Sequence, residues 1–405
     1  MWIGNLSVVL IISGCAAYQY LRGTVVKAFA TIIIAVCASI AAFGFFEISA
    51  RLLLRYAASV GPWAQPLCFT LLFVLAFAIL QTVASQLTRQ PTDLGLWPER
   101  VGRVVCGIFL GLILSGLLLT ALAMAPLSNK YPYERFDPRY PNAEKPNKVF
   151  LNADGLATGW FSMVSSGSFS AIRNKRSFAT LHPALLDQLF LNRLSTGDNL
   201  SVMTGSAAIE VPKKNAAWYL SGHITDSDGQ QLSPKSGHNL LVVRVGIKKR
   251  AAKDAARFTL SQLRLICKPK AYADKPLVGK GHNIYPVGWM KAANQLQKKK
   301  LNDPIQIASD DFTDRVKLIA FAFYVPDGSV PVLIEFKLNN VAEVPPPVPT
   351  EQAPEIVPFI ESAASETADR SSNRRESSRP NQPISTRPRR GLSGVSKGIL
   401  GDDFE

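Results

Sequence analysis

Histidines are the residues best suited to acid–base work or metal binding, and the four in this chain, His182, His223, His238 and His282, stand far apart. None is in HExxH or HxH spacing, so no pair is set by local structure to grip a metal. Asp310, Asp311 and Asp314 offer carboxylates to a hard cation if a loop gathers them, and capping of a short helix accounts for them as well. Gly279-Lys280-Gly281-His282 sets glycines beside a lysine without the full phosphate-loop pattern and reads as a flexible turn. Four cysteines, Cys15, Cys37, Cys68 and Cys106, fall in apolar stretches, which leaves Cys267 without a partner for a disulfide or a zinc site in the polar part. No Gly-x-Ser-x-Gly, paired catalytic acids or Cys/His nucleophile arrangement is recognisable. The residues therefore predict no enzyme, no cofactor and no metal.

The elements that carry these residues divide by hydropathy. Apolar runs at residues 3–21, 24–46, 66–87 and 101–127 each reach the ~20 residues that cross ~30 Å of hydrocarbon as a helix. Four such runs within residues 1–127 leave no room for a polar face, so this region is expected to be a four-helix membrane bundle. The first run lacks a basic leader and is followed at once by a second, so it reads as a retained span. Ionisable groups cluster between the runs: Arg22 and Lys27; Glu47, Arg51 and Arg55; Arg89, Asp93, Glu99, Arg100 and Arg103. Trp63 and Trp97 suit an interfacial belt, and Lys27, Glu47 and Arg103 lie near helix ends where long side chains snorkel. Counting Lys and Arg on the two sides, five against six, does not fix the orientation.

Two sets of residues inside the spans carry specific expectations. Gly102, Gly107, Gly111, Ser115 and Gly116 form a small-residue stripe on the fourth run that admits another backbone, either within the bundle or in a homo-oligomer. Gln81, Thr82 and Ser85 in the third run, with Thr120 in the fourth, are the polar groups that a transport pathway would need.

The Arg22-Gly23 pair after the first span, and Glu99-Arg100-Val101-Gly102 followed by Gly107 and Gly111 at the start of the fourth, resemble the bacterial colicin V production (CvpA) family. The likeness covers roughly residues 1–170, because the segment from Asp154-Gly155 to Ser170 is similar to the amphipathic stretch that follows the fourth span in that family. The chain has Lys27 and Asn5 where members often carry acids. The resemblance implies a multi-pass protein of the bacterial inner membrane, linked to toxin production or export and to envelope integrity, with no established enzymatic activity and with both termini exoplasmic.

Beyond the bundle, residues 128–149 hold four prolines and read as an extended linker. Residues 150–198 read as a connector: an amphipathic segment with Leu156, Trp160, Phe161 and Met163, lying on the bilayer or packed on the soluble domain, then a short helix after His182-Pro183. From residue 199 to 340 the period changes to two. Apolar stretches at 218–224, 240–247, 258–267, 316–323 and 332–338, broken by Asp228-Gly229 and Pro326-Asp327-Gly328, predict an antiparallel β-sandwich with helical insertions near Trp289 to Gln297. Residues 341–405 turn Pro/Glu-rich, then Ser/Arg-rich, and are expected to be disordered.

Charge is uneven. Residues 128–340 carry thirty Lys/Arg against seventeen Asp/Glu, out of a net +15 for the whole chain. Such a surface attracts anionic partners, and the absence of aromatic interleaving or a nucleic-acid motif argues against nucleic acid. The expected function is an envelope scaffold or accessory protein. A small oligomeric channel is the second reading, and an enzyme on envelope polymers the third.

Overall fold

Four helices open the chain, each long and apolar enough to cross a membrane: α1 (Trp2–Arg22), α2 (Val25–Tyr56), α3 (Ala64–Leu87) and α4 (Leu96–Met124). The computed structural model describes residues 2–361 except 88–94, 167–176, 195–199, 221, 223, 233–234, 276–277 and 313. These residues belong to one compact unit. Its N-terminal region is membrane-embedded and its C-terminal region is built of sheets.

The glycine stripe decides how the helices pack. A Cβ at Gly107 would sit 2.6 Å from the Ala16 Cα, and one at Gly111 2.6 Å from the Ile12 Cα, so α1 and α4 approach backbone to backbone. Gly102 abuts Val25 of α2, and Gly116 meets the Ala153 carbonyl. Ser115 is buried and donates to the Leu112 carbonyl at 3.0 Å. The stripe is thus occupied by contacts inside the chain, the first of the two uses expected of it.

Both ends of the bundle are tied. At one end, Glu99 Oε1 accepts from the Val25 amide at 3.1 Å and from Arg103 at 2.8 Å. At the other, Gly4 lies against Tyr133 and Val149, and Asn5 Oδ1 accepts from the Phe150 amide at 2.9 Å. At 1.5 Å per residue α2 runs roughly 48 Å, longer than the ~30 Å hydrocarbon layer, so its C-terminal turns project toward the rest of the protein.

Residues 128–149 are not an extended tether. Tyr133 and Phe136 are buried, and the Asn147 amide bonds the Arg135 carbonyl at 2.8 Å. Three short helices follow: α5 (Ala153–Ser165), α6 (Phe178–Leu181) and α7 (Leu185–Arg193). Of the two placements open for the amphipathic segment, neither bilayer surface nor sandwich is its main support. Phe161 stacks on Phe43 of α2 at 5.0 Å and meets Phe178 at 4.8 Å, which makes one aromatic core of bundle and connector.

The remaining chain forms β1 (Ile209–Glu210), β2 (Ala217–Tyr219), β3 (Ile224–Asp226), β4 (Gln231–Leu232), β5 (His238–Lys248), β6 (Arg257–Thr259), β7 (Leu263–Pro269), β8 (His282–Ile284), β9 (Gly288–Ala292), β10 (Gln295–Lys298), β11 (Pro304–Gln306), β12 (Val316–Pro326), β13 (Ser329–Phe336) and β14 (Asn340–Glu343). The larger sheet runs β1-β5-β12-β9-β10-β3-β4, with β2 also on β5, and the smaller runs β14-β13-β7-β8. Alternation of side chains gives each strand two faces. Val243, Val245, Phe321 and Phe323 of the larger sheet pack with Leu263, Leu265, Ile334 and Phe336 of the smaller. Pairing between these strands is antiparallel except for β3 with β10, which is parallel. The helix expected near Trp289 to Gln297 is instead the β9–β10 hairpin, where Gly288 at φ 159° lets the backbone pass the Gln297 carbonyl.

The tail expected from residue 341 is also corrected. β14 completes the smaller sheet, Phe359 packs on Trp289 in the core between the sheets with rings 5.5 Å apart, and residues 348–356 cross the outer face of the larger sheet, where Val348 pairs its backbone with Ala217 and Tyr219. That face carries Trp218, Val242, Met290 and Leu296, which would otherwise meet water. Residues 362–405 lie outside the described residues.

Close α1–α4 packing is testable. Gly107→Ala should lower the unfolding midpoint in detergent by an amount equivalent to ~1–3 kcal/mol, whereas Gly44→Ala, with nothing within 4 Å of its Cβ, should be neutral. Equal responses would mean that α1 and α4 do not touch as described.

Candidate functional site

The most concentrated chemistry lies where the bundle meets the sandwich. Glu47 near the end of α2 accepts from His182 Nε2 at 2.5 Å, and His182 Nδ1 faces Gln188 Oε1 at 3.0 Å. Both ring nitrogens therefore face oxygen acceptors, which requires a proton on each and makes the ring an imidazolium. Gln188 Nε2 donates to Glu335 Oε1 at 2.6 Å, which fixes the orientation of that amide. The other Glu335 oxygen takes the Arg264 guanidinium, which also donates to the Leu181 carbonyl at 2.7 Å and to Asn283 Oδ1. A chain of charges, minus, plus, minus, plus, thus runs from a membrane helix through α6 and α7 into β13 and β7. Arg264 and Glu335 are almost wholly buried. Burial alone would push the His182 imidazole down, but Glu47 beside it, helped by Glu335, holds it above its ordinary value despite Arg264.

A second cluster fastens the former linker. Arg135 donates to Asp187 Oδ1 at 2.6 Å and to the Tyr133 hydroxyl at 2.6 Å, and that hydroxyl donates to Asp154. Burial pushes the Tyr133 phenol up, so it remains a donor. Arg193 donates to the Ala125 carbonyl at 3.2 Å and the Tyr131 carbonyl at 3.3 Å, and lies 4.6 Å from the Phe190 ring centroid. A cation here meets the carbonyls at the negative end of the α4 dipole. Burial pushes its guanidinium down to about 10, so it stays charged at neutral pH.

Beside this junction opens a cleft of about 1210 Å³, bounded by residues 140–144, by β8 and the turn after it, and by residues 297–301. Asp187, Asn283 and Tyr285 line it, and the first two also bond to Arg135 and Arg264. The floor of the cleft is thus continuous with the junction. No family model, curated protein or solved structure matches this chain.

The residues expected to matter are placed as follows. Arg22 is exposed, while Gly23 closes the α1–α2 turn, its amide bonding the Gln19 carbonyl at 2.9 Å. Glu99 caps α2 as described, and Arg100 is exposed. Gln81, Thr82 and Ser85 are exposed on the outside of α3, whereas Thr120 is buried and donates to the Gly116 carbonyl at 2.8 Å. The four do not line one pathway within a single chain. His238 and His282 both border the cleft, and His223 lies outside the described residues. Asp311 accepts from the Ala308 amide at 3.2 Å, capping a short turn, and no group of three or more potential metal ligands forms among the described residues. Cys267 is fully buried.

Glu335 and Arg264 drew no notice in the sequence, and Glu47 and His182 read as an interfacial acid and an ordinary surface or hydrogen-bonding group. A signal existed for three of them, which lie beside apolar residues in Phe45-Phe46-Glu47, Leu263-Arg264-Leu265 and Ile334-Glu335-Phe336, where a charge needs a partner.

Two outcomes test the junction. Arg264→Met should destabilise the protein by about 3–5 kcal/mol, because Glu335 is left buried without its cation, and the pair Arg264→Met/Glu335→Leu should recover much of that loss; denaturant titration of the detergent-solubilised chain measures both. His182 binds its proton more tightly folded than unfolded, so its contribution is complete below the ordinary imidazole value of 6.5 and is lost as pH rises through the elevated folded value. The unfolding midpoint should fall over that range in the wild type, and the fall should be smaller in His182→Gln.

Proposed function

We propose that this protein is a membrane-anchored envelope scaffold, an accessory component of the kind that the colicin V production resemblance implies, which holds its β domain in a fixed pose at a bilayer surface to engage an anionic partner. The observation that carries this reading is the buried Glu47–His182–Gln188–Glu335–Arg264 chain. A simple tether needs no such junction, since a flexible linker keeps a domain at the membrane without burying charge. Pose matters when an anchored surface has to meet other components in one orientation.

In this reading the bundle sits in a bacterial inner membrane with the β domain on the exoplasmic side, and its role lies in toxin production or export and in envelope maintenance. The first turn of α1 and the end of α4 both adjoin the connector, which agrees with the start of the chain and the β domain sharing one side. An oligomeric channel is the second reading. It is favoured by the exposed polar face of α3, where Gln81, Thr82 and Ser85 could meet the same face of another copy.

A cysteine placed at exposed Asn294, in the β9–β10 turn, should react with an impermeant maleimide in intact spheroplasts. Deleting the gene in its host should reduce toxin export or raise detergent sensitivity, restored by the wild type and not by Glu47→Ala/His182→Ala. Unchanged export and envelope integrity, together with ion flux in proteoliposomes that Gln81→Leu abolishes, would replace the scaffold by the channel.

A further inference from the structure

The cleft carries three kinds of group whose combination narrows its ligand. The first is uncompensated charge. Lys235 is held by Glu144 at 2.6 Å, Lys298 by Asp226 at 3.0 Å and Lys299 by Glu361 at 2.5 Å, whereas Lys280 and Lys300 have no carboxylate within ion-pair distance among the described residues. One cleft carboxylate, Asp303, is likewise without an ion pair among the described residues, so the two ammonium groups outnumber it and the balance favours an anion brought from outside. The second is ring surface. Tyr140 is 71% exposed with the Lys300 ammonium 5.2 Å from its ring centroid, and Tyr324 adds another ring to the wall. The third is neutral polar groups without partners. The Tyr285 hydroxyl and the Asn283 Nδ2 are shut off from solvent and have no hydrogen-bond partner among the described residues. Burial, and then Lys280, push the His282 imidazole down, which keeps it a neutral ring with one donor and one acceptor.

We infer that this cleft binds an acidic oligosaccharide, with its carboxylate or phosphate groups at Lys280 and Lys300 and a sugar ring against Tyr140. Hydroxyls both donate and accept, as does the exposed His282 imidazole of the wall, and flat sugar faces stack on aromatic rings. An acidic peptide would satisfy the lysines but would seek main-chain partners, and the edge strand here, β8, has only three residues and is followed by Pro286. At about 1210 Å³ the space exceeds the ~300–1,000 Å³ common for small-molecule pockets, which suits several sugar units. The inference deepens the reading of the β domain as the part that engages an anionic partner, and rests on it, but does not depend on toxin export.

The test uses the full chain in nanodiscs of zwitterionic lipid, with oligogalacturonate, neutral dextran oligomers of equal length, polyglutamate and inorganic phosphate as probes in calorimetry. Oligogalacturonate should bind more tightly than the other three. Lys280→Gln and Lys300→Gln should each weaken it about tenfold, the size of one lost charged hydrogen bond, and Tyr140→Ala several-fold, while Lys253→Gln, an exposed lysine outside the cleft, should leave it unchanged. Polyglutamate binding as tightly and insensitive to Tyr140→Ala would overturn the sugar in favour of a peptide. Phosphate competing with full effect, or equal losses from Lys253→Gln, would reduce the site to unspecific charge and overturn it too. Failure of every probe, with envelope fractions still retained by the same nanodiscs, would overturn the ligand class alone; no retention either would overturn the anionic-partner reading with it.

Discussion

A charge removed from water must be met by another charge or by several dipoles, and in this protein that requirement governs the seam between its two halves. Glu47 belongs to a membrane helix, His182 and Gln188 to the connector, and Glu335 and Arg264 to the smaller sheet. Shifting any of the three bodies would strand at least one buried ion, at a penalty of several kcal/mol. Much else follows from the seam. The Arg135 cluster ties residues 131–147 to α7 and α5, and Arg193 closes the end of α4. The segments between bundle and sandwich therefore form a packed layer and not a tether.

Apolar packing supplies the bulk of cohesion around these polar fasteners. Phe43, Phe69, Phe161 and Phe178 form ring contacts between 4.8 and 5.9 Å that run from α2 and α3 into the connector. Inside the bundle there is no water to expel, so close approach has to come from shape, and the glycines of α4 provide it. Within the sandwich the larger sheet is apolar on both faces, and residues 348–356 serve as its second cover. The three regions thus use three solutions to one problem: backbone contact in lipid, ring stacking at the boundary, and sheet burial in water.

How much of this was legible follows from the range of each interaction. The four apolar runs are local signals, and the helices match them except at their ends, where α2 extends ten residues past the run and α4 begins earlier. Long strands such as β5 and β12 were equally plain as β-branched and aromatic runs at 240–247 and 316–323, nearly continuous because both faces of the sheet are covered. The hairpin at Trp289 to Gln297 was hidden because four strand residues with a bulge give too few repeats to show a period. Proline-rich composition masked the roles of residues 128–149 and 344–361, whose few apolar side chains are set by irregular backbone and not by a repeat. The candidate site was the least legible. Glu47 and His182 are 135 positions apart and Gln188 and Glu335 147 apart, so no spacing rule joins them.

The polar character of the seam has a reason that stability alone does not provide. A hydrophobic junction of the same area would hold the halves together as strongly, yet apolar surfaces tolerate sliding and rotation because their attraction lacks direction. Alternating charges with fixed hydrogen-bond geometry admit one register. His182 can satisfy both nitrogens only when Glu47 and Gln188 flank it, and Gln188 can serve both His182 and Glu335 only in one amide orientation. The same residues reach the cleft. Asn283 touches Arg264 on one side and faces the cleft on the other, so the wall of that cleft inherits its position from a network anchored in a membrane helix. Fixing the register of the seam therefore also fixes where the cleft faces relative to the bilayer.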